Sequence, residues 1–294
     1  QNVSIKGLYM RSLSSATFGL APFFTISLLL AGFSSFEVLA YRWGIASLTL
    51  VVFGIMLGET FRISRKDWGT VFILSLPEQA TSFSLVIAYQ NISSGVASTI
   101  HFMYPLAVAL AMMGFFGEKR SFAILFAVLV SLSGAGLLSS GKIDFEGGNT
   151  TIGLIAAGLS VFFYGGYIVG VRKSRAVQIP STALTCYVMG LGALFFIIGG
   201  YLTEASGWPM NLHMAEYSRT ALPATAISNI TLVKAIKYIG PTLTSIFGAL
   251  EPLTAVVIGC LIFNESFTPA SAIGMALIIT AVTVVVGTRK EKGE

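Results

Sequence analysis

The segments YPLAVALAMMGFFGE at 104–118 and EPLTAVVIGCLIFNE at 251–265 each carry a proline at the second position and a glutamate at the last, with an almost wholly apolar run between. Two such runs in one register are the mark of an internal duplication. Adding 147 also carries Ala88, Ile92 and Ser98 onto Ala235, Ile239 and Ser245. Adding 146 carries Gly7, Leu13, Ser14 and Pro77 onto Gly153, Leu159, Ser160 and Pro223. Nearly all of the first half recurs, so the chain divides into a repeat at 1–146 and a second at 147–294, and the fold is read from that periodicity.

Hydrophobic residues make up 54% of the chain and charged ones 11%, with a mean hydropathy of +0.81. Those values lie outside the range of a soluble domain of this length. The net charge of +5 is gathered in short clusters between apolar runs and forms no basic face, so a nucleic-acid partner is not expected. Cys186 and Cys260 sit inside apolar stretches and read as packed thiols. The first apolar run lacks a small-residue cleavage site and has a repeat partner, so it reads as a retained helix.

A hydrocarbon core of about 30 Å needs about 20 apolar residues at about 1.5 Å each. Ten stretches qualify: 8–31, 36–57, 69–90, 94–116, 121–140, 150–171, 181–202, 217–236, 241–263 and 268–288. Runs such as 125–138 show no alternation of apolar and polar residues, which favours helices over barrel strands. The expected fold is therefore an all-α polytopic membrane protein of ten transmembrane helices. Trp208 and Pro209 suggest an interfacial loop before the eighth span.

With both termini in the cytoplasm, fourteen of the sixteen loop Lys and Arg residues lie inside, and Lys142 and Arg219 alone lie outside. Five spans per repeat is an odd number, so the second repeat enters the membrane inverted. The loops carry that inversion in their charges. The 32–35 link has no base, whereas its partner holds Arg172, Lys173 and Arg175; the loop with Arg62, Arg65 and Lys66 corresponds to one with Arg219 alone. Two inverted copies give one molecule two packings of similar energy, which is the physical basis of alternating access. Pro77 with Pro223, and Pro105 with Pro252, remove backbone donors at matched depths and free carbonyls for protein, water or substrate. Kinking for packing alone is the other reading of each proline. The glycines inside spans allow helices to approach and slide, and close packing without motion explains most of them.

On the paired Pro…Glu motif, from Tyr104-Pro105 to Gly117-Glu118 and from Glu251-Pro252 to Asn264-Glu265, the chain resembles the drug/metabolite transporter superfamily, EamA type, over residues 7–288. Asn264 stands where that pattern commonly has glycine. The resemblance implies a ten-helix carrier of the bacterial inner membrane, working outward on amino acids or other small metabolites. The lysine and arginine that would mark a sugar-phosphate translocator are not evident in the ninth span.

An ionisable group at membrane depth costs about 2.5–3.5 kcal/mol on insertion scales, so each one calls for a reason. Glu78 follows Pro77 and precedes Gln79, which brings a carboxyl, an amide and a freed carbonyl together; a structural hydrogen bond is the alternative. Glu251 at mid-span is matched by Tyr104 in the other copy, an asymmetry suited to a cargo or coupling site and equally to a structural role. His101 lies one turn before Tyr104, and an interhelical hydrogen bond is its plainer reading. Arg42 lies about 9 Å below the outer surface and either snorkels outward or meets Glu78 or an anionic cargo group. Arg11 is expected to snorkel to the cytoplasmic side. Asn229, Gln79 and Ser82 can orient a polar molecule, with Tyr164, Tyr167 and Tyr104 as walls. The expected substrate-binding set is Arg42, Glu78, Gln79, His101, Tyr104, Tyr164, Asn229 and Glu251.

The function expected is secondary active or facilitative transport of a small, amino-acid-like or other polar or amphipathic metabolite, as export. The partners are the bilayer, the small-molecule cargo and protons as a coupling ion, in a monomer or weak homodimer. No phosphate-cradling loop is present, and no catalytic constellation or metal-ligand spacing, so no cofactor, metal or enzymatic activity is expected. A channel, a membrane-embedded enzyme or a receptor is the competing class.

Overall fold

The computed structural model describes residues 4–19, 21–30, 32–92, 94–118, 121–138, 148–203, 213–248, 250–251 and 269–290, and among these every regular element is helical. The first predicted span forms two helices, α1 (Ile5–Phe18) and α2 (Ala21–Leu30), with Pro22 in the first turn of α2, where its missing N–H costs least. Next comes α3 (Ser35–Met56), opened by a capping box in which Ser34 Oγ accepts from Glu37 N and Ser34 N donates to the Glu37 carboxylate. A short 3-10 turn, Arg65–Asp67, leads into α4 (Trp68–Asn91).

The fourth span is also broken, into α5 (Ser94–His101) and α6 (Tyr104–Phe115), with Pro105 in the first turn of α6. Helices α7 (Phe122–Leu138), α8 (Thr150–Lys173) and α9 (Ser181–Thr203) follow. Then α10 (His213–Phe247) runs through the eighth span into the ninth with a kink at Gly240, whose φ is 81°. The last is α11 (Pro269–Lys290). Pro77 and Pro223, expected as breaks, lie inside α4 and α10 without ending either helix. Among the described residues, four helical stretches are long and apolar enough to cross a bilayer, namely α3, Arg65–Asn91, α8 and α9. Pro252 to Glu265, Cys260, Trp208 and Pro209 fall outside the described residues.

Burial is inverted relative to a protein in water. Phe122 is 89% exposed, Phe115 86%, Leu202 80% and Phe162 71%, while Arg11 is 0%, Glu78 3% and Glu251 7% exposed. Each large apolar side chain left in water would forfeit about 1.5–3 kcal/mol, so hydrocarbon is the solvent this surface fits. The molecule is a multi-pass membrane protein.

Four pairings carry most of the packing: α1 along α10, α4 along α8, α3 along α9, and α7 along α11. Trp43 and Leu39 of α3 pack with Met189 and Ala193 of α9. Tyr104 and Val108 of α6 pack with Tyr164 and Ile168 of α8 and with Leu232 and Ile236 of α10. One face of the bundle gathers the basic residues and ties them across the chain. Arg175 Nε donates to Asp67 Oδ1 at 2.8 Å, Arg172 Nη1 to Lys237 O at 2.8 Å, and Tyr187 Oη to Phe61 O at 2.8 Å. Lys237 Nζ bonds Ile179 O, and Thr242 Oγ1 bonds the Glu118 carboxylate.

Candidate functional site

The interior holds two polar centres, and one is built on a residue the sequence reading assigned elsewhere. Arg11, expected to snorkel, is fully buried. Its helix starts at Ile5, so the side chain begins three residues, a little under one turn, deeper than a span starting at 8 implies. Nε donates to Thr244 O at 2.7 Å, Nη1 to Ser14 Oγ at 3.0 Å, and Nη2 to both Tyr104 Oη at 2.8 Å and Glu251 Oε1 at 2.7 Å. The guanidinium fork thereby joins α1, α6 and the segment past the end of α10. Ser14 Oγ in turn donates to Ser228 O at 2.9 Å, and Ser15 Oγ to Phe247 O at 3.1 Å.

Helix breaks create the space for this centre. Tyr104 opens α6 just after the break at Phe102–Met103, and Glu251 lies just past the end of α10, where Gly248 N bonds back to Ser245 O at 2.9 Å. Glycine is required at 248, since a Cβ there would overlap Tyr104 Oη and the Arg11 guanidinium. Beside it, Tyr104 meets Tyr164 edge-on at 4.7 Å, and the His101 ring lies 5.4 Å from Tyr104 and 5.2 Å from Tyr164. His101 Nδ1 is 2.9 Å from Ser160 Oγ. The Ser160 hydroxyl also lies 2.6 Å from Ala157 O of its own helix, so it sits between the imidazole and that carbonyl. The plainer reading of His101, an interhelical hydrogen bond, is the one observed.

The second centre lies on α3 and α4 and is unsatisfied. Arg42 Nη1 reaches Thr25 Oγ1 at 3.4 Å and the guanidinium stands 5.8 Å from the Trp43 ring, but Arg42 Nε is buried with no partner. Glu78 Oε2, Gln79 Oε1 and Trp43 Nε1 are likewise buried and unpartnered. Arg42 and Glu78 lie within each other's field, yet the ion pairs formed among the described residues are Arg11–Glu251 and Asp67–Arg175. Gln79 Nε2 donates to Val188 O at 3.2 Å over Gly192, where a Cβ would strike the amide. Tyr164 lies within the field of both Glu78 and Glu251.

Of the expected set, Tyr104, Tyr164, His101 and Glu251 come together around Arg11, and Arg42, Glu78 and Gln79 form the second group. Asn229 spends its Nδ2 on Thr225 O of its own helix at 3.0 Å. Arg11 was legible only as a charge near a helix end; Ser14 one turn on was the available hint, since it shares the guanidinium's face. Among the described residues no group of His, Cys, Asp and Glu has the geometry to hold a metal.

Among curated proteins none matches this chain. A solved structure titled "Crystal structure of protein" superposes with a TM-score of 0.81 at 18% identity, covering 97% of this chain and 96% of that one, and shows a shared fold. The model of the EamA-like transporter family matches twice, over residues 5–140 and 151–287, and the chain therefore belongs to that family.

Proposed function

We propose that this protein is a carrier that exports a small polar or amphipathic, amino-acid-like metabolite by alternating access between two inverted halves, with both termini in the cytoplasm of the inner membrane. The observation that carries the reading is the pair Arg42 and Glu78. Two opposite charges are buried a short way apart, each with an atom that no group of the protein satisfies. A buried donor or acceptor left unpaired costs about 1–3 kcal/mol, and more when charged. A cargo that brings both an acceptor and a donor relieves that cost on arrival, with Gln79 Oε1 beside it and Tyr164 toward the other centre. Glu251 is already matched by Arg11, which leaves Glu78 as the carboxylate available for exchange with a proton or cargo.

The helix pairings support the two-half reading. Exchanging the halves at offsets of 146 and 147 turns α1 into α8 and α4 into α10, so the α1–α10 pair maps onto α8–α4. The α3–α9 and α7–α11 pairs map onto themselves. The bonds joining Asp67 to Arg175 and Phe61 to Tyr187 hold the basic face, read as cytoplasmic, shut.

The test is counterflow of radiolabelled neutral amino acids and related small metabolites into proteoliposomes. Saturable, trans-stimulated uptake is expected, with Glu78→Gln and Arg42→Gln each lowering it by about tenfold or more, the worth of a lost charged hydrogen bond. A pH gradient is expected to drive flux through the native protein and not through Glu78→Gln. Unsaturable conductance would mark a channel and overturn the proposal, as would full activity of both variants.

A further inference from the structure

The Arg11 network occupies a place that the repeat builds twice and fills once. At the offsets that relate the halves, Arg11 corresponds to Ala157, Thr244 to Ala97, Glu251 to Tyr104, and Gly248 to His101. Ala157 and Ala97 belong to one buried apolar cluster, so at 157 a methyl group stands where the other copy has the guanidinium that bonds the Thr244 carbonyl. Where Gly248 leaves room for the guanidinium and the Tyr104 hydroxyl, the other copy places the His101 imidazole, held by Ser160. Ser14 and Ser160 are the shared members, one bonded to Arg11 and the other to His101.

Alternating access in an inverted repeat exchanges the packing of equivalent interfaces. The α1 interface with the end of α10 then adopts the spacing now seen between α8 and the α5–α6 break, and the latter closes. The ion pair cannot re-form there, because alanine stands at 157 and tyrosine at 104, the counterparts of Arg11 and Glu251. Resting on the alternating-access reading, we infer that the Arg11–Tyr104–Glu251 network forms in one access state only and acts as a strut that makes that state the resting one. Arg11 and Glu251 are thus positioning residues for the transition, apart from the Arg42–Glu78 centre.

The experiment is double electron–electron resonance between spin labels at Lys66 and Gln178, both exposed on the basic face, in a Cys186→Ser/Cys260→Ser background. The native protein is expected to show one dominant short separation. Removing both charges with Arg11→Met/Glu251→Met should raise a second, longer separation by at least about tenfold in population. Tyr104→Phe keeps both charges and one fewer bond, and should shift the ratio in the same direction by about threefold. Asp67→Asn/Arg175→Gln, which unties the basic face directly, is the control. A double variant that melts earlier but keeps the native distances would overturn the inference and make the strut a scaffold. If the double variant fails to fold, an unchanged distribution in Tyr104→Phe overturns it. Should the control also keep the native distances, alternating access itself fails, which separates the two failures.

Discussion

Arg11 is the side chain on which most of the interior charge balance turns, with donors committed to a carbonyl, two hydroxyls and a carboxylate. Removing one partner of a buried pair leaves the other charge uncompensated, at a cost of about 3–5 kcal/mol. Arg11→Met is therefore expected to lower the melting temperature in detergent sharply, and Arg11→Met/Glu251→Met to recover much of the loss. Equal melting of the native protein and the single variant would show that the pair contributes nothing. Glu78, Arg42 and Glu251 were legible as functional candidates because charge at membrane depth is expensive wherever it lies. Arg11 was not, because its depth depends on a helix start three residues earlier than the hydropathy run suggests. Asn229 commits one N–H to the Thr225 carbonyl of its own helix, a local bond that a one-dimensional pattern does not reveal.

Helix breaks place these side chains, and they arise where proline or glycine makes them cheap. Pro105 separates α5 from α6 and puts His101 and Tyr104 at the gap. Gly240 holds φ 81° and ψ 168°, a conformation essentially confined to glycine, and a Cβ there meets no other atom. Gly240→Ala should thus cost about 1–3 kcal/mol by backbone strain alone. Thermal unfolding checks it, and an unchanged midpoint would contradict the kink. In the connection just before Gly240, burial pushes the Lys237 ammonium down from 10.5 to about 8. A folded-state value below the unfolded one means the unfolded chain binds the extra proton between those limits. Stability should then rise as pH climbs from about 8 toward 10.5, and the penalty is fully present below 8. Replacing Lys237 with Gln should flatten that slope relative to the native protein; parallel curves would refute it. The fourth span reads in sequence as one continuous stretch and is broken beside Pro105, whereas Pro77 and Pro223 did not break their helices. A proline alone costs one donor, and neighbouring contacts decide whether the helix bends or ends.

At the scale of the molecule, the duplication read at offsets of 146 and 147 is reflected in which helices pack together, and the family model falls on the same two stretches. Composition made the membrane legible, since 54% hydrophobic residues leave too little polar surface to cover the bundle. Which faces converge was not legible, because the apolar stripes facing lipid and those facing neighbouring helices have the same residue types. The account's central claim is an interior reachable from each side in turn. A single cysteine at Thr25, beside Arg42, in a Cys186→Ser/Cys260→Ser background tests it with a membrane-impermeant thiol reagent on right-side-out and inside-out vesicles. Labelling from both sides is expected, and a cross-link between cysteines at positions 67 and 175 should abolish labelling from the basic face while sparing the other. Labelling from one side only in the uncrosslinked protein, or from both sides with the cross-link in place, would contradict it.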